Sequence, residues 1–183
     1  QIQDTIILDN NTNSVSMSGD GTVCAVGVHA SAKVHIYEKT TVTGKWLPMG
    51  SILEGTSGNR FGISVSLSDD GNTIIIGDHL AFNNGQVIVY KYDGTDWVQH
   101  GSPINGENAN DNNGYSVSIS SDGNIIAIGA EKYDDNGSNI IGYVRLYEYS
   151  NTSSDWEQIG DSIVGEAAGD KSGRGVSLSS DGT

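Results

Sequence analysis

Residues 64–71 read Ser64-Val65-Ser66-Leu67-Ser68-Asp69-Asp70-Gly71. Serines alternate with apolar residues, and the chain then reaches an Asp-Gly pair. The stretch has three counterparts: Ser14-Val15-Ser16-Met17-Ser18-Gly19-Asp20-Gly21, Ser116-Val117-Ser118-Ile119-Ser120-Ser121-Asp122-Gly123 and Val176-Ser177-Leu178-Ser179-Ser180-Asp181-Gly182. The anchors Asp20, Asp70, Asp122 and Asp181 are 50, 52 and 59 positions apart. Trp46, Trp97 and Trp156 keep the same beat, as do Tyr37, Tyr90 and Tyr147. A fixed period of this length is the signature of a repeat architecture, one supersecondary unit per repeat.

Each unit reads as four strands. Period-two alternation in the serine stretch marks a strand with small side chains on one face. The Asp-Gly pairs predict tight type I′ hairpins. Apolar runs follow at 23–26, 74–76 and 125–128. They are apolar on both faces, as in a strand sandwiched between two layers. Third strands fall at 34–37, 87–90 and 144–147. The fourth begins at the tryptophan and carries Pro48 or Pro103; proline cannot donate to a ladder, so this strand is an outer edge. Crowding at a central axis suits the serines, and a wide rim suits the tryptophans. The pattern predicts an all-β chain, a β-propeller of four-stranded antiparallel blades. A β-sandwich is the rival reading. Gln1-Ile2-Gln3-Asp4-Thr5-Ile6-Ile7 matches Gln158-Ile159-Gly160-Asp161-Ser162-Ile163-Val164, a fourth strand. The expected organisation is therefore three full blades plus a partial blade at each end: 1–13 closes a preceding blade, 14–55, 61–105 and 114–165 are blades, and 175–183 starts the next. All belong to one propeller domain, expected to be part of a longer polypeptide.

The 183 residues are 36% hydrophobic with 25 glycines and only two prolines, which fits a globular chain and excludes collagen-like or Pro-rich sequence. A net charge of −14 repels phosphate backbones, so nucleic acid is excluded as a partner. No run of about 18 apolar residues is present to form a membrane-spanning helix, and no direct membrane insertion is expected. One cysteine, Cys24, cannot form an internal disulfide; it aligns with Ile74 and Ile126 and reads as a small core residue.

Phe61-Gly62, Ser64-Val65-Ser66, Ile76-Gly77 and Gly85-Gln86-Val87-Ile88-Val89-Tyr90 resemble an FG-GAP repeat, the blade of the integrin α-subunit propeller. Gly114-Tyr115-Ser116-Val117-Ser118, Ala127-Ile128-Gly129-Ala130 and Gly142-Tyr143-Val144-Arg145-Leu146-Tyr147 resemble it too. The chain is most similar to a many-copy variant found in secreted and surface proteins of algae and marine bacteria. The resemblance implies a propeller and an extracellular or cell-surface location. Integrin-type blades carry a calcium loop between the first two strands. Here that link is a short Asp-Gly turn with too few oxygens for a cation that takes six to eight.

Candidate chemistry is sparse. The serines follow strand alternation, and nothing places a base beside one. His29 and His79 follow the glycine that ends the second strand, with Glu131 at the third equivalent position; all three read as solvated loop residues. His35 aligns with Ile88 and Arg145 on an exposed-looking face, and His100 reads as half-buried packing. Alternate connections share one face, which collects Asp78 with the ligand-facing acidic residues Glu107, Asp111, Glu131, Glu166 and Asp170. Asp134, Asp135 and Asn136 offer several oxygens in one loop, so weak Ca2+ binding is expected there. Asn10, Asn136 and Asn151 head Asn-x-Ser/Thr sequons and are expected glycosylation sites.

No unit departs from its siblings by a unique pair of carboxylates, so no enzyme is expected. The reading is a non-enzymatic extracellular β-propeller module for structural assembly, adhesion or protein–protein interaction, extending to a subunit of a surface structure or filament. Its loop face would meet protein or glycan partners. A carbohydrate-binding, lectin-like propeller is the alternative, and a propeller-fold enzyme is the second alternative. The tryptophans recur at one strand position, which suits packing better than sugar stacking.

Overall fold

The computed structural model describes residues 12–134 and 140–183. Three antiparallel sheets follow one another along the chain. The first contains β1 (Ser14–Met17), β2 (Val23–Val28), β3 (Lys33–Lys39), β4 (Trp46–Pro48) and β5 (Leu53–Glu54). The second contains β6 (Ser64–Leu67), β7 (Thr73–Asp78), β8 (Gln86–Tyr92), β9 (Trp97–Gln99) and β10 (Ile104–Asn105). The third contains β11 (Asn113–Ile119), β12 (Ile125–Ala130), β13 (Tyr143–Ser150) and β14 (Asp155–Val164).

In each sheet the order is the order of the sequence, and the register of the first pair repeats: Ser16 faces Ala25, Ser66 faces Ile75 and Ser118 faces Ala127. The outer strand is split in two sheets. β4 and β5 both pair with β3, and β9 and β10 both pair with β8. Gly50 and Gly101, at φ +72° and +79°, break the ladder between the two pieces. Pro103 cannot donate there, and Pro48 ends β4. β14 carries no proline and runs unbroken for ten residues, with a bulge opposite Val144–Leu146.

The second strand of each sheet is buried on both faces, as its apolar run predicts. β7 sends Ile74 and Ile76 into a core with Val34, Ile36, Phe61 and Trp97 of the first interface. Its Ile75 joins Val117, Ile126, Ile128 and Trp156 in the second. Each of these isoleucines is fully buried, contributing about 1.5–3 kcal/mol.

The serines do more than keep side chains small. Ser14, Ser64 and Ser116 each donate from Oγ to a glycine carbonyl of the following unit, Gly62, Gly114 and Gly173, at 2.8 Å. The close approach needs a glycine on the near side as well: a Cβ on Gly27, Gly77 or Gly129 would collide with that same carbonyl. The tryptophans latch the rim. Trp97 Nε1 donates to Met49 O at 2.8 Å, and Trp156 Nε1 donates to His100 O at 2.9 Å, each across a sheet boundary.

Two expectations need correction. The Asp-Gly turns are not type I′, which requires φ > 0 at both central residues. Only Gly21, Gly71 and Gly123 are left-handed, at +71°, +68° and +76°; the aspartate before each is not. The aspartate instead locks the turn by accepting from Ser18, Ser68 or Ser120 Oγ and from the backbone N–H of Thr22, Asn72 or Asn124. Residues 175–183 form no strand, although they dock as the earlier serine stretches do: Leu178 N donates to Ser118 Oγ and Ser121 N donates to Ser180 O. No second strand lies beside them among the described residues to complete a ladder.

Candidate functional site

The apolar run that makes β7 ends in a carboxylate. Val28 closes β2 and Ala130 closes β12, both buried; Asp78 takes the same place at 4% exposure. It pairs across the ladder with Gln86. Its Oδ1 is buried and accepts no hydrogen bond. Burial alone raises its pKa from an ordinary 3.8 to about 6.

Asp78 lines a cleft of about 300 Å³ between the first and second sheets. Glu54 and Thr56 border it from the first sheet, Asn59, Gln86 and Phe82 from the second. Glu54 is held by Lys33 Nζ at 2.9 Å. Gln86 Nε2 donates to Asn105 Oδ1 at 3.1 Å. Phe82 sits on a short 3-10 turn, Ala81–Asn83, that joins β7 to β8. It is 76% exposed, with φ +51° and ψ 22°, and Asn83 follows at φ +67°. Two left-handed residues in succession, neither glycine, are costly and point to a local use.

The equivalent place between the second and third sheets is plugged. Where the cleft has Gln86, Ile88 and Ala81, the third sheet has Tyr143, Arg145 and Tyr133. Arg145 Nη2 pairs with Glu107 Oε2 at 2.9 Å, and its guanidinium lies 4.2 Å from the Tyr143 ring centre. Tyr133 meets Tyr143 edge-on, and the Tyr143 hydroxyl donates to Asn113 Oδ1. Desolvation pushes the Tyr143 hydroxyl well above its usual range. The reading of position 145 as an exposed face is thus corrected: Arg145 is 8% exposed.

Several of the acidic loop residues are engaged within the chain. Glu107 is in that ion pair. Asp111 is buried and accepts from Asn108 N at 2.7 Å; burial raises its pKa, with the loop hydrogen bonds opposing. Asp170 accepts from Glu166 N and Ala167 N, the same cap one unit later. Glu166 is exposed. Glu131 is buried, 4.0 Å from Arg174 Nε. Asp134 bridges to Ile140, while Asp135 and Asn136 lie outside the described residues, as does Asn10. No three His, Cys, Asp or Glu side chains converge on a metal position among the described residues. Asn151 is exposed in a turn. His100 stacks on Tyr149 at 3.8 Å, and Cys24 is buried.

In the sequence, Asp78 groups with the acidic residues of one loop face and His79 with solvated loop residues, and neither stands out as a site. The signal for Asp78 was present: an ionisable group stands where both sibling strands have an apolar residue.

No family model matches the chain, and no curated protein matches it. Solved structures do. A protein from Lactobacillus plantarum matches at TM-score 0.55 and 15% identity over 84% of this chain and 42% of its own. A protein of unknown function from Desulfotomaculum acetoxidans matches at TM-score 0.55 and 17% identity, over 86% and 43%. A protein from Bacteroides fragilis, provisionally assigned as a 6-phosphogluconolactonase, matches at TM-score 0.58 and 14% identity, over 84% and 39%. The chain thus spans about two fifths of these structures. At these identities they establish the fold: all-β, antiparallel and β-propeller-like. They also correct the expectation of a non-enzymatic structural or adhesive module. One of these structurally similar proteins carries a provisional enzyme name, so regular repeats are no argument against catalysis. A unique pair of carboxylates is also too narrow a criterion, since the second unit departs from its siblings by the single buried carboxylate of Asp78.

Proposed function

We propose that the chain is part of a propeller-fold enzyme, its three sheets serving as blades, that opens cyclic esters of sugar acids with Asp78 as the acid–base group. The observation that carries this reading is the buried, unpartnered Asp78 carboxylate on the cleft, with its pKa at about 6. The lactonase assignment of the structurally similar Bacteroides fragilis protein supports the reaction class. A base of this pKa is mostly ionised at neutral pH yet still binds a proton readily. Asp78 takes a proton from water as the water oxygen bonds to the lactone carbonyl carbon. The tetrahedral intermediate then expels the ring oxygen, which receives the proton. The bond between carbonyl carbon and ring oxygen breaks, and a hydroxy acid leaves. Thr56, Asn59 and Gln86 supply hydroxyl and amide groups for the substrate's hydroxyls, and Phe82 offers a face for the apolar side of the ring.

The test is proton release from a panel of aldonolactones, with and without phosphate esters. Wild type is expected to open at least one, with activity rising through about pH 6. Asp78→Asn is expected to lose roughly 10²–10⁴-fold in kcat. A wild type no faster than the spontaneous reaction, or an Asp78→Asn protein that keeps full activity, overturns the reading. The exposed Phe82 favours a second reading, sugar binding without turnover, in which Asp78→Asn changes affinity alone.

A further inference from the structure

Both sheet boundaries in this chain are closed by one set of parts. Ser51 donates from N and Oγ to the Asp96 carboxylate at 2.7 and 2.9 Å, and Ser102 N donates to Asp155 Oδ1 at 2.7 Å. Each aspartate stands one residue before the tryptophan that latches the rim. Gly50 and Gly101, one residue before the serines, lie so close that a Cβ on either would strike the Trp97 or Trp156 ring. Beneath the latch, Val87 and Val89 of the second sheet meet Val117 and Ile119 of the third, and none of the four is more than 8% exposed.

The outward faces of the first and third sheets each carry one half of the same parts. On the third sheet a Cβ on Gly160 would meet nothing within 4 Å among the described residues, and Asp161 is exposed. Val144 and Leu146, at the places of Val87 and Val89, are only half-buried there. On the first sheet Val15 and Met17, at the places of Val117 and Ile119, are 67% and 50% exposed. Trp46 is half-buried where Trp97 and Trp156 are buried.

The charges on these two faces complement each other and differ from those inside the chain. Lys45 precedes Trp46 where Asp96 and Asp155 precede their tryptophans, and Asp161 follows Gly160 where Ser51 and Ser102 follow their glycines. Inside the chain a serine donates to a carboxylate. Between the two outer faces the third sheet supplies the carboxylate and the first sheet the cation. A first sheet with aspartate at position 45 would set two carboxylates against each other, so the exchange of both residues favours this pair of faces over copies of the inner ones.

We propose that the outer face of the third sheet binds the outer face of the first sheet of a second copy, head to tail, with Asp161 against Lys45 and Trp46 against the strand at Gly160. Two copies joined at both ends bring six sheets into one ring, within the range of about four to eight blades for propellers. The inner edge of the third sheet carries residues 173–182, held by Ser116 Oγ to Gly173 O, Leu178 N to Ser118 Oγ and Ser121 N to Ser180 O. In the ring β1 of the second copy takes that place. Its Met17 N matches Leu67 N and Leu178 N, each of which donates to a serine Oγ of the sheet before. The exchange replaces one docked segment by a whole sheet and withdraws Val15 and Met17 from water. This pairing depends on how the sheets stack and not on lactone chemistry.

The experiment is sedimentation velocity of the 183-residue chain over a concentration series up to about 0.1 mM, where a species of twice the chain mass is expected. Asp161→Lys and Lys45→Asp each reverse one charge and are each expected to weaken association at least about tenfold. The double variant restores opposite charges and is expected to recover it, as is an equal mixture of the two single variants. Met17→Glu puts a charge on the apolar face and is expected to leave a monomer. All three side chains are exposed, so every variant is expected to keep the wild-type unfolding temperature. A wild type that stays monomeric throughout the series overturns the proposal. So do charge reversals that leave association unchanged, a double variant that fails to recover it, or a Met17→Glu protein that still associates. Mass is read here and turnover is not, so the result stands apart from that of Asp78→Asn on lactones.

Discussion

Replacing Asp78 by asparagine should change how stability depends on pH, and the size follows from the carboxylate's surroundings. Asp78 is 4% exposed, and burial raises its pKa from 3.8 to about 6. The folded state therefore binds this proton more tightly than the unfolded state. Below about pH 3.8 the group is protonated in both states and costs nothing. As pH rises from about 3.8 to about 6 the unfolded chain ionises first, and the native state loses stability. Above about 6 the loss is constant, at about 3 kcal/mol. Asparagine cannot titrate. The difference in unfolding free energy, Asp78→Asn minus wild type, should thus rise by about 2.5 kcal/mol between about pH 4 and pH 7.5. Taking the difference cancels the other titrating groups, and any fixed effect of the amide enters as an offset independent of pH. The assay is urea unfolding of both proteins at four or five pH values, followed by tryptophan fluorescence. A difference flat across this range would show that the carboxylate is solvated and paired, and would refute both the desolvation argument and its use as a general base near neutrality.

Other outcomes are expected from contacts between sheets. Trp97→Phe removes the bond from Nε1 to Met49 O and leaves a buried carbonyl unpaired; thermal unfolding should report a loss of about 1–3 kcal/mol, near 2–4 °C per kcal/mol for a chain of this size. Gly77→Ala drives a methyl into Gly114 O and Ser64 Oγ; a cost of at least about 1–3 kcal/mol is expected, and calorimetry finding the variant as stable as wild type would contradict the close approach. Phe82→Ala should raise KM for lactone several-fold with little change in kcat, as the stacking contribution of one aromatic ring requires, and steady-state kinetics separates the two.

Much of the fold is legible in residue order because each repeat writes the same local physics. Alternating serines, a doubly apolar second strand and a proline-bearing fourth strand set strand, layer and edge. Ile74 to Ile76 have no other stable place than between two layers, and the structure buries all three fully. The turn type was misread because Asp-Gly favours several hairpins. The choice came from Ser68 and Asp70, whose side chains bond to each other and accept from the backbone N–H groups of Thr73 and Asn72. The serines were read as small side chains alone, since nothing within one repeat reveals that Ser64 Oγ reaches a carbonyl fifty positions away.

The candidate site divides along the same line. The sequence by itself determined that the chain is all-β, that its units repeat, and that Asp78 stands where its siblings carry Val28 and Ala130. Only the tertiary structure decided what that substitution means. The same interface position is filled by Tyr133, Tyr143 and the Arg145–Glu107 pair between one pair of sheets and left as a cleft beside Ala81, Gln86 and Ile88 between the other. Those residues come from different strands of neighbouring units, so the volume they leave depends on how the sheets stack. Desolvation of a carboxylate is likewise set by everything packed around it, and for Asp78 that surrounding is drawn from both sides of the sheet boundary.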